Sequence, residues 1–129
     1  MRRQATARRA LVALLGAAAL LGATAGCGAT PPQAPFHQAK KLDASTGDIS
    51  TECGLTYQLT AFGGDHRKAL ASLERQAMNS ARSLASVYHR NPEWIYQGET
   101  LRQVVRDALS MLTACGLTRA ERTLLRATS

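Results

Sequence analysis

The chain has 129 residues, a formal charge of +7 and 5% aromatic residues, which bounds it to one small domain with few aromatics to fill its core. The charge does not point to nucleic acid. Arg2, Arg3, Arg8 and Arg9 stand in the first 26 residues with no acidic residue among them, so +7 falls to +3 once those four are set aside, and the basic footprint of a nucleic-acid binder is lost.

Those arginines form a basic head. An apolar run from Ala10 to Leu21 follows, and then the small residues Thr24-Ala25-Gly26 ahead of Cys27. This is the order of a secretory signal peptide. The run is too short and too rich in Ala and Gly for a bilayer span, which needs about 20 apolar residues; the other reading is an uncleaved N-terminal anchor helix. At Thr24-Ala25-Gly26-Cys27 the chain resembles the lipobox of bacterial prolipoproteins, with Thr24 where that family usually has leucine. The resemblance covers the first 27 residues only. It implies cleavage before Cys27 and a diacylglyceryl group, palmitate or similar, on the Cys27 thiol. Two acyl chains hold a protein stably on a bilayer, where one holds it marginally. The expected address is the extracytoplasmic face of the cell membrane, reached by general secretion or, given Arg8-Arg9, by the twin-arginine route.

Removing residues 1–26 leaves 103 of the 129. Apart from Cys27 the cysteines are Cys53 and Cys115. In an oxidising compartment an even number of thiols usually pairs, so a Cys53–Cys115 disulfide is expected. In the chain-entropy model a loop of that length gives roughly 4 kcal/mol, a large share for a domain near about 80 residues. The other reading is two buried, unpaired thiols.

Residues 27–47 read as the lipidated cysteine followed by a flexible linker with three prolines and few aliphatics. A coil of that length spans roughly 25 Å. Lys40-Lys41 could touch anionic headgroups, at about 1 kcal/mol per lysine; the plainer reading is a solvated linker. The folded domain is expected over 48–129. Residues 51–62 are ambiguous. Leu55, Tyr57, Leu59 and Ala61 alternate like a strand, while Leu55, Leu59 and Phe62 fit one face of a helix. No other segment offers a strand partner, which favours a short helix, broken by Gly63-Gly64.

Asp65 suits the N-cap of the strongest helix, 66–90. Its seam of Leu70, Leu73, Ala77, Ser80, Leu84 and Val87 alternates steps of three and four, a spacing that would equally serve self-association. Asn91-Pro92 ends it, and residues 91–98 read as a loop or one tight turn. A helix over 100–115 follows with a broad apolar face, stopped by Gly116 in the left-handed region. Thr118 and Glu121 have capping-box spacing and open a last helix, 119–127. The fold expected is all-α: an antiparallel helical hairpin within a three- to four-helix domain, its open end closed by the disulfide.

Candidates for chemistry are few. His37, His66 and His89 lack the spacing of metal ligands, and neither a nucleophile elbow nor a phosphate-cradling glycine loop is present. No metal or cofactor is expected. Lys68, Arg75 and Arg82, with His89, repeat every seven residues. They are either a basic face for an anionic polymer or lipid, or a solvated face opposite the seam. Trp94, Ile95 and Tyr96 sit in the loop between the two main helices. They are either exposed anchors for a partner or the plug of the closed end of the core. The function expected is a membrane-anchored protein-binding or structural module with a protein partner. The alternative is a small cell-envelope hydrolase or an accessory to one, which would need a cleft holding Asp65, His66 or Glu99.

Overall fold

The computed structural model describes residues 32–129. The expected signal peptide, Cys27 and residues 28–31 of the expected linker lie outside the described residues. Four helices, α1 (Phe36–Ala61), α2 (Arg67–Arg90), α3 (Leu101–Cys115) and α4 (Thr118–Thr128), frame a hairpin of two short strands, β1 (Ile95–Tyr96) and β2 (Glu99–Thr100). The domain is all-α apart from that hairpin, and Cys53 is joined to Cys115, as the sequence leads one to expect. Among the described residues no helix is long and apolar enough to cross a membrane.

The linker expected through residue 47 is corrected by α1. Its three prolines end at Pro35, which stands at the N-cap with φ −61° and ψ 158°, and proline is tolerated at a helix start but not inside one. From Phe36 the chain is helical for 26 residues. The buried stripe Leu42, Ser45, Ile49, Glu52, Cys53 and Thr56 explains why: it keeps helical spacing, but only two of its members are aliphatic, so its periodicity is hidden in a hydropathy reading. Leu42 is fully buried. The same helix settles residues 51–62, and it turns Leu55, Tyr57 and Phe62 outward, at 41%, 54% and 68% exposure. The face drawn through Leu55, Leu59 and Phe62 is therefore not the core face.

The seam of α2 is buried from Leu73 to Val87. Its N-cap is His66 without a side-chain cap bond, whereas Asp65 acts one residue earlier, its Oδ1 accepting from the Arg67 N–H at 3.1 Å. The loop expected over 91–98 contains a strand pairing the sequence did not reveal. Ile95 faces Thr100 and Tyr96 faces Glu99, around Gln97 and Gly98 with φ of +50° and +82°, the turn whose twist suits a two-residue hairpin. Thr100 then caps α3, its hydroxyl accepting from the Gln103 N–H. Gly116 ends α3 at φ +84°. The capping box expected at Thr118 does not form, because Thr118 lies inside α4 and Leu117, buried, holds the N-cap position. A carboxylate from another helix takes its place: Glu74 of α2 accepts from the Ala120 N–H at 2.8 Å.

Hydrogen bonds fix the directions. Tyr57 donates to the Ala114 carbonyl at 3.0 Å beside the disulfide, so α3 runs in the same sense as α1, from the hairpin toward the bridge. Glu74 meets Ala120 and His89 meets the Ala127 carbonyl, so α4 runs in the same sense as α2, and both run opposite to α1 and α3. Leu42, Ile49, Leu84, Val87, Leu101, Leu112 and Leu124 fill the space between.

Candidate functional site

Between the parallel pair α1 and α3, under the hairpin, lies a cleft of about 370 Å³ lined by Thr46, Ile49, Tyr96, Gln97, Glu99, Val104, Asp107, Ala108 and Met111. Small side chains at Thr46 and Ala108 keep it open. Its floor is apolar, from Ile49, Val104, Ala108 and Met111, and its rim is polar.

The rim is anchored by Tyr96. Its ring is buried and its hydroxyl donates to the Asp43 carboxylate, which ties the hairpin to α1; burial and that carboxylate raise the phenol's pKa above its usual range. Glu99 and Asp107 line the cleft together, and hydrogen bonding to the Asp107 carboxyl, then desolvation and the like charge, raises the pKa of Glu99. Asp107 is oriented from its own helix, accepting from Gln103 Nε2 at 2.9 Å, while Arg106 is turned onto Gln103 Oε1 at 3.0 Å. Among the described residues neither carboxylate forms an ion pair. The cleft therefore offers an apolar floor beside two crowded carboxylates, the complement of an apolar group next to a cation.

The candidates named from the sequence are distributed as follows. Of the loop triplet, Tyr96 lines the cleft, whereas Trp94 is half-buried and packs on the core. Ile95, half-buried, pairs with Gln33 ahead of α1. Lys68, Arg75 and Arg82 are exposed on the outer face of α2, where Arg82 donates to Asn79 Oδ1 at 3.0 Å; His89, the fourth member, bonds to α4 instead. Asp65 and His66 line a separate shallow hollow with Arg67 and Lys68, and Asp65 forms an exposed ion pair with Arg67 that lowers its pKa. Glu99 lines the cleft, so the structure does not bring these three together there. Cys27 lies outside the described residues.

Sequence reasoning missed Asp107 and Met111 because each stands on a helix among ordinary surface positions. It missed the Glu99–Asp107 pairing because only the hairpin, itself unforeseen, folds Glu99 back toward α3. It also missed Glu52. This carboxyl is buried between α1 and α2, with the Ser80 hydroxyl at 3.4 Å. Desolvation, with Asp48 one turn away, pushes its pKa up to about 7.

A scan against protein-family models finds no match, and searches of curated proteins and of solved structures find none either.

Proposed function

We propose that the protein is an extracytoplasmic lipoprotein, held on the cell membrane by acyl chains on Cys27, whose domain binds a segment of a protein partner. The leader and its lipobox-like end support the address, and the Cys53–Cys115 bridge fits a chain that matures where thiols oxidise. The observation that carries the binding reading is the cleft: an apolar floor next to Glu99 and Asp107. Its ligand places an apolar side chain on Ile49 and Met111 and a lysine or arginine against the two carboxylates, relieving a repulsion the free domain already carries. Of the loop residues, Tyr96 and Gln97 make contact and Trp94 supports them from the core.

The Glu99–Asp107 pair also gives a hydrolase reading its one foothold, since two neighbouring carboxyl groups, with Glu99 raised in pKa, are what such chemistry uses. Glu99 is exposed, however, and a carboxyl in open water lacks the water-excluded setting that makes such groups effective. Binding is the better-supported reading.

The test places a photo-crosslinking residue at Gln97 in intact cells, with the same probe at Gln58 as a control. A discrete adduct from position 97, lost when Glu99 and Asp107 are both changed to lysine, supports the cleft. An adduct indifferent to that charge reversal contradicts it.

A further inference from the structure

The residues just ahead of α1 are not free. The Ala34 N–H donates to the Ile95 carbonyl at 2.9 Å, the Ile95 N–H donates to the Pro32 carbonyl at 2.9 Å, and Gln33 lies in parallel register with Ile95. The start of the domain is thereby strapped to its hairpin. Only residues 28–31 separate Cys27 from Pro32, and five extended steps span at most about 17 Å. Helix α1, with 26 residues, is about 39 Å long. A lipid on Cys27 can therefore hold the hairpin end close to the bilayer, while the Gly63-Gly64 end stands more than twice that reach away along α1.

The hairpin end has the chemistry for that position. Phe36 is 69% exposed, the Lys40 ammonium lies 5.5 Å from its ring centroid, and His37 and Lys41 are exposed beside it. These are the only basic side chains on α1, whose later residues carry Asp43, Asp48 and Glu52 instead. Cations at this end of a helix oppose its dipole, so helix stability does not explain their position. Nearby acids are engaged: Asp43 by Tyr96, and Glu93 by Arg102. The far end of α1 also exposes apolar side chains, Leu55, Tyr57 and Phe62, but it lies beyond the reach of the segment that joins Cys27 to Pro32.

We propose that the end of the domain carrying Phe36, His37, Lys40 and Lys41 rests on the anionic headgroups of the bilayer that holds the Cys27 lipid, so that the domain stands end-on. This inference rests on the acylation proposed above. Phe36 enters the headgroup–acyl boundary as the apolar anchors of interfacial helices do, and the two lysines meet anionic phosphates. The lipid supplies the attachment and these residues supply the orientation. The hairpin rim of the cleft, Tyr96, Gln97 and Glu99, then lies at the docked end, and its floor residues Ile49 and Met111 lie farther along the helices.

Trp94, the only tryptophan, is a built-in reporter for this end. The acylated full chain is bound to phosphatidylcholine vesicles containing phosphatidylglycerol and a lipid with a nitroxide headgroup, and flotation and Trp94 fluorescence are read on the same sample. The chain is expected to float, with Trp94 quenched several-fold more than a tryptophan placed at the far end in W94F/F62W. Phe36→Ser with Lys40→Glu and Lys41→Glu should float equally well and lose the excess quenching. Failure to float overturns the anchor, and the docking with it. Flotation with Trp94 unquenched, with both ends quenched alike, or with the triple variant unchanged overturns the docking alone.

Discussion

Gln33 and Ile95 lie side by side in parallel register, so the first residues of the domain are part of its fold and not a leash to it. Behind this contact α1 buries Leu42 completely, in a stretch whose composition resembles a linker.

Leu42 gives the sharpest stability test of that correction. A leucine in a solvated linker can be truncated without cost, whereas a fully buried one costs about 2–5 kcal/mol on truncation to alanine. Leu42→Ala is expected to lower the Tm of residues 32–129 by roughly 10 °C or more, measured by thermal circular dichroism. An unchanged Tm would return residues 36–47 to the linker.

The disulfide ties α1 to the end of α3, and removing it should cost about 2–5 kcal/mol. Cys53→Ser with Cys115→Ser is expected to shift the urea midpoint down. The loss should be close to that seen on reducing the unsubstituted domain.

How far the sequence reaches depends on how local each signal is. The α2 seam, the Gly116 stop and the thiol pairing were legible, because spacing, a glycine and an even cysteine count carry them. The first half of α1 was not, since Ser45, Glu52 and Thr56 fill core-facing positions and only tertiary packing makes them a buried stripe. The cap of α4 was misplaced for a related reason: Thr118 and Glu121 have the spacing of a local cap, but Glu74, distant in sequence, supplies the acceptor. The cleft was illegible altogether, because it exists only once the hairpin folds Glu99 over α3.

Glu74 should behave as a cap although it belongs to another helix. Glu74→Ala is expected to cost about 1 kcal/mol and to speed amide exchange at Ala120 and its neighbours, with α1 unaffected. A uniform change along the chain would contradict a local capping role.

Glu52 makes stability depend on pH in an unusual direction. Its carboxyl titrates near 4.5 when unfolded and at about 7 when folded, so between those values the native state holds the extra proton. Stability then falls as pH rises from about 4.5 to 7. In Glu52→Gln that decline should be much reduced and the domain should be more stable than the unsubstituted one at pH above 7. Denaturant titrations across the range would show it, and parallel curves for the two proteins would refute it.

The central claim is that this disulfide-closed helical domain is carried on the membrane by Cys27. Intact-mass analysis of the protein isolated from its own membrane fraction tests it most directly. The expected product is a chain beginning at residue 27, heavier by a diacylglyceryl group and lighter by the two hydrogens lost in joining Cys53 to Cys115. A product that starts at Met1, or one with an unmodified thiol at position 27, would contradict it.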